Sequence, residues 1–171
     1  MLSLAASTLA LILALVPGAE SRAPIAALDS PTRHVRTTEH TMRKLIRTGY
    51  QLSPTFAALI ARLDESDVIV YVEELPRLPG ALEGRMLILP APHGFRYVRI
   101  QIALRGSPSD SIAIIGHELR HAVEVADAAD VRDDASLATL YRRIGVSEGN
   151  NLFDTIAAQE TGKRVLKELV S

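Results

Sequence analysis

An α+β domain is the fold class this sequence predicts, because two helical patterns come first, strand-like runs fill the middle and helices return for the last third. The 171 residues, 47% hydrophobic and 23% charged, suit one globular domain with its own core. The first helical pattern runs from Thr38 to Thr48, with Met42, Leu45 and Ile46 on one stripe and Gly49 as its stop. Ser53 before Pro54 is an N-cap with proline at the first helical position, and Phe56, Ala57, Leu59, Ile60 and Leu63 form a second stripe. The period then changes. Asp67 to Val72 and Arg85 to Leu89 are β-branched or aliphatic runs, separated by a loop from Pro76 to Gly84 that contains proline and glycine. Pro90 to Gly94, with His93 among them, predicts a hairpin turn into a third strand, Arg96 to Leu104, where Val98, Ile100, Ile102 and Leu104 make one buried face. The closing helices are expected at about Pro108 to Asp127, Asp133 to Ile144 and Asp154 to Val170.

Composition narrows the function classes. Nineteen Lys and Arg against twenty Asp and Glu leave a net charge of -1, so no global field exists to hold a polyanion, and nucleic acid is not an expected partner. The absence of cysteine excludes a disulfide scaffold, a thiol nucleophile and a Cys-ligated metal, so any metal must sit on His, Asp or Glu. Leu2 to Val16 is an uncharged apolar run of about 15 residues, short of the roughly 20 that span a bilayer, and small residues follow Pro17. Residues 1–23 therefore read as a signal peptide, 24–37 as a leader and 38–171 as the folded domain. A secreted or periplasmic protein without a stable membrane span is the expectation, with an uncleaved anchor as the alternative.

The residues that carry chemistry are His117-Glu118-Leu119-Arg120-His121, an H-E-x-x-H sequence. On a helix, positions i and i+4 project from one face a turn apart, so both imidazoles can reach one metal at about 2.0 to 2.1 Å. Glu118 lies about 100° round, placed to take a proton from a water on the metal without ligating it. Random placement of five His and eleven Glu in this length yields about 0.01 such matches, so chance is a poor source of the pattern. Ser107, Pro108 and Asp110 supply a helix start ahead of Ile112, Ile114 and Ile115.

HELRH on a helix that follows two helices and a three-strand segment resembles the zincin metallopeptidases. The resemblance implies a small zincin-like domain, in which the motif helix lies under a mixed sheet whose edge strand pairs with extended substrate. It implies His117 and His121 as ligands of Zn2+, Glu118 as general base, and a peptide or protein substrate. It points to gluzincin-like members rather than metzincins, since Glu124 and Asp127 stand where those proteins carry a glycine and a third histidine. In gluzincin-like relatives the third ligand is an acidic residue on a later helix, commonly with alanine three residues on. Asp154, with Ala157 and Ala158 after it, fits that description with Asp in place of Glu, and Glu160 is the alternative.

Glu124, three residues beyond His121, reads either as an acceptor for an imidazole N–H or as a solvated carboxylate. Tyr141, Arg142, Arg143 and His93 are candidates for polarising a carbonyl, and sequence does not choose among them. The expected function is an exported zinc-dependent hydrolase, a metallopeptidase working through a metal-bound water and Glu118. The alternative is a zincin-like domain that binds a metal or a protein partner without catalysis.

Overall fold

The computed structural model describes residues 32–79, 82–91, 94–147 and 153–171. The expected signal peptide, most of the leader and His93 lie outside the described residues. Among the described residues the fold is α+β, with five helices, a four-stranded mixed sheet and a two-stranded ribbon. No helix among them is long and apolar enough to cross a membrane.

The sheet has the order β1-β2-β4-β3, from β1 (Val35–Arg36), β2 (Val68–Glu74), β3 (Gly84–Leu89) and β4 (Arg96–Ile102). β2 runs parallel to both β1 and β4, and β3 pairs antiparallel with β4. Three strands are read from sequence and a fourth, β1, comes from the stretch assigned to the leader. Two residues are too few to show a period, and β1 is anchored by a distant group: the Asp64 carboxylate accepts from the backbone N–H groups of Arg33 and His34 at 3.0 and 2.7 Å. One face of the sheet is apolar, with Val68, Val70 and Val72 on β2 in line with Val98, Ile100 and Ile102 on β4, all essentially buried.

Against the sheet lie α1 (His40–Leu52), α2 (Pro54–Asp64) and α3 (Pro108–Asp127), and α3 contacts β2, β3 and β4 as well as α5 (Ile156–Val170). Gly49 does not end α1, which continues to Leu52. Its role is steric: a Cβ there would stand 2.8 Å from Ile112 Cγ2, so the missing side chain lets α1 close on α3. α2 begins at the expected Ser53 cap, whose hydroxyl accepts from the Phe56 N–H. α3 has the bounds read from sequence and carries a full capping box between Ser107 and Asp110. Its other end is held by Arg96, which is 3% exposed and donates to the carbonyls of Val125 and Ala128 at 2.6 and 2.7 Å. The helix that bears the motif is thus fixed at both ends.

α4 (Asp134–Ile144) starts at a capping box of Asp133 and Ser136. It leads into the ribbon of β5 (Val146–Ser147) and β6 (Phe153–Asp154). Helix α5 begins two residues later than expected, after Thr155, whose hydroxyl accepts from the Ala158 N–H. Asp154 is therefore on a strand that precedes the helix and not on the helix itself.

Candidate metal centre

The buried face of α3 and the strand β6 build the site. His117 and His121 are a turn apart on α3, their ring centroids 4.9 Å apart, and each presents Nε2 at 3.3 Å from Oδ1 of Asp154. One ligand atom from each of the three residues lies within 4.8 Å of the others. Zinc bound tetrahedrally at about 2.0 to 2.1 Å separates its ligands by about 3.3 to 3.4 Å, so two edges of that tetrahedron already have the right length. The donor set of two imidazoles and a carboxylate fits a divalent metal, and the three residues could hold one.

Glu160 is exposed and lines a separate groove with Arg62, Arg120 and Arg164. Of the two acidic residues considered from sequence, Asp154 is the one that reaches both histidines. Its short side chain suffices because β6 carries the backbone to them. The carboxylate is held in place by the Thr155 N–H at 2.6 Å and the Gln159 amide at 3.0 Å.

Glu124 is buried and acts as an acceptor, so the solvated reading does not apply. One of its oxygens meets His121 Nδ1 at 2.9 Å, and the other accepts from the Thr155 hydroxyl at 2.7 Å and faces Arg120 Nε at 3.7 Å. This contact fixes the His121 ring with Nε2 toward Asp154, as an outer carboxylate does in metal sites generally. Thr155, which sequence reading passed over, joins Glu124 to the backbone segment of Asp154. Its one sequence signal is that of a helix N-cap, a threonine just ahead of an alanine-rich helical run.

Burial and charge set the proton affinities of the metal-free site. Burial moves the Glu118 carboxyl up to about 7, with the Asp154 charge adding to it and His121 opposing it. Burial alone would lower His121, yet its hydrogen bonds to Asp154 and Glu124 outweigh that and bring it to about 9. Burial and the neighbouring His121 push His117 down. Asp154 falls to about 2 because hydrogen bonds from His121 and Gln159 overcome its partial desolvation.

Around this centre the packing is tight. A Cβ on Gly84, at the start of the edge strand β3, would lie 2.6 Å from Glu118 Oε1, so the strand backbone passes directly against the carboxylate. A Cβ on Gly162 would lie 3.3 Å from the Cβ of His117. The expected small face of α5 includes Ala158, fully buried, whose backbone hydrogen-bonds the His117 ring.

The four candidates for polarising a carbonyl separate in the structure. Tyr141 is buried, its ring edge-on to His121 at 5.3 Å, and its hydroxyl has no hydrogen-bond partner among the described residues. Burial, together with the charges of Glu124, Glu118 and Asp154, raises its pKa, so the phenol keeps its proton. Arg142 and Arg143 are exposed, and Arg142 bonds back to Ala138 and Thr139 on its own helix. His93 is outside the described residues. No family model matches this protein, no curated protein matches it, and no solved structure matches it.

Proposed function

We propose that this protein is an exported zinc-dependent hydrolase of the zincin type, acting on a peptide bond. The observation that carries the reading is the convergence of His117, His121 and Asp154 on one point beside a buried glutamate that is not itself in the ligand group. Zinc held by these three residues would supply a Lewis acid and bring the pKa of a water on it toward neutrality. Glu118, buried beside the ligand group and not part of it, takes the proton of the attacking water and passes it to the leaving amine. Tyr141 offers a protonated hydroxyl to the oxygen on which negative charge develops. Glu124 and Thr155 hold His121 and the Asp154 segment in register. Strand β3, at the sheet edge beside Glu118, provides backbone groups for an extended peptide to pair with. Export rests on the apolar run from Leu2 to Val16 and the small residues after it.

The test is Glu118→Gln, which keeps the shape of the side group and removes the base. Cleavage of an extended-peptide library by the zinc-loaded protein should fall by about 10² to 10⁴, with zinc content unchanged. Equal cleavage by the zinc-loaded variant overturns the mechanism. A zinc-loaded wild type that cuts no peptide favours the non-enzymatic, metal-binding alternative.

A further inference from the structure

The two oxygens of Asp154 have different partners. Oδ1 is the oxygen that stands 3.3 Å from Nε2 of both His117 and His121, and it also accepts from the Thr155 N–H at 2.6 Å. Oδ2 accepts from the Gln159 side-chain amide at 3.0 Å. An ionised carboxylate oxygen has about two acceptor sites, so on Oδ1 the Thr155 N–H fills one and leaves the other for the point shared with the imidazoles.

Gln159 is itself fixed. It lies in the first turn of α5, where its backbone N–H donates to the Thr155 carbonyl at 3.0 Å. The Thr155 hydroxyl caps that turn and donates to the buried Glu124 on α3. One short segment therefore carries the ligand, the cap and the amide, and it is tied to the helix that bears the histidines. The Asp154 side chain is 16% exposed, so solvent has little access to replace the amide. The last torsion of an aspartate is broad, and by itself the side chain does not resist a turn that brings both oxygens onto a cation.

From this asymmetry, and resting on the metal centre read above, we propose that Gln159 is a positioning residue that holds Asp154 to ligation through one oxygen. With Oδ2 engaged by the amide, Asp154 offers a metal Oδ1 alone. His117, His121 and Asp154 then make three bonds, which leaves a tetrahedral zinc its fourth position for water. Without the amide the carboxylate turns, and its second oxygen takes up that position or adds a further ligand. Gln159 also lines the groove of about 590 Å³ on which His117 and Glu118 open, so it stands on the accessible side of the centre, where the fourth position has to be kept clear.

Co2+ in place of zinc reads this directly, because its visible absorption is strong in a four-coordinate tetrahedral site and weakens as ligands are added. The chelator-stripped full-length protein would be loaded with Co2+ and the band measured per bound cobalt, so that metal lost from a loosened site does not imitate a change of geometry. Wild type should show the strong band. Gln159→Met, which keeps the length of the side chain and removes the donor, should lower it by about half or more. Gln159→Lys, which restores an N–H donor of similar reach, should stay within about a fifth of wild type. A weak band in wild type, an unchanged band in Gln159→Met, or a band in Gln159→Lys as weak as in Gln159→Met overturns the proposal while the metal centre stands. A wild type that takes up neither Co2+ nor zinc removes the metal centre, and the proposal with it. The spectra do not depend on cleavage, so the result holds whether or not a peptide is cut.

Discussion

Arg96→Met removes a guanidinium that is 3% exposed while keeping most of its aliphatic stem. The wild-type group donates to Val125 and Ala128 carbonyls at 2.6 and 2.7 Å, more weakly to Val131 and Ala126 at 3.2 and 3.3 Å, and to both oxygens of Asp67. The two short bonds to carbonyls are buried and charge-assisted, worth about 1.5 to 3 kcal/mol each. Val125 and Ala128 carbonyls also accept from backbone N–H groups, which places the total toward the lower side. Asp67 has a side chain 42% exposed, so losing its partner adds little. The expected destabilisation is about 3 to 5 kcal/mol, or about 10 to 15 °C in Tm for a domain of this size.

Calorimetry and urea unfolding of the two proteins would measure it. The Asp67 carboxyl is held below its usual value, chiefly by the hydrogen bond from Arg96. Stability from that pair is therefore present above the unfolded value of 3.8 and lost as pH falls through the folded one, so the gap between wild type and variant should narrow in acid. A loss below about 1 kcal/mol at neutral pH would refute the view that Arg96 fixes the C-terminal end of α3.

Three further outcomes follow from the site. Glu124→Gln should weaken zinc affinity about 10- to 100-fold, as read by competition with a chelator. Thr155→Val should weaken it in the same direction and Thr155→Ser should restore it, because the hydroxyl to Glu124 is what matters. Gly84→Ala should cost about 1 to 3 kcal/mol in urea unfolding and lower kcat while leaving zinc affinity in place, since the added methyl meets Glu118 and Ile114 and not the ligands.

Helix α3 is legible to the residue because every local signal agrees: a serine cap, proline at the first position, an acidic residue at the third and isoleucines at helical spacing. The strands are legible through their periodicity, except β1, whose two residues owe their place to Asp64 some thirty positions on. Gly49 misleads because glycine ends helices by local propensity, whereas here it serves a contact between helices that only the tertiary fold creates. The polar positions of β4 hold a similar surprise. Gln101 alternates with buried residues yet is itself 7% exposed, bonded to Arg85 across the register to β3.

At the site, His117, Glu118 and His121 stand out because one helix fixes their relation. Asp154 is legible as acidic and near, but its setting is not, since a strand of two residues and an adjoining threonine cap replace the helical turn expected there. Glu124 has two readings in sequence because the helical wheel places it beside His121 without saying that α5 would bury it. The approach of Gly84 to Glu118 depends on where the edge strand lies and has no local signal.

Zinc binding by the purified protein is the most direct test of the proposed centre. The chelator-stripped wild type should take up about one zinc per molecule at neutral pH, and less as the pH falls and protons compete for the imidazoles. His117→Ala should abolish high-affinity uptake, and Asp154→Asn should weaken it far more than Glu160→Gln does. A wild type that takes up no zinc, or one whose affinity depends on Glu160 and not on Asp154, would contradict the assignment of His117, His121 and Asp154 as the metal site.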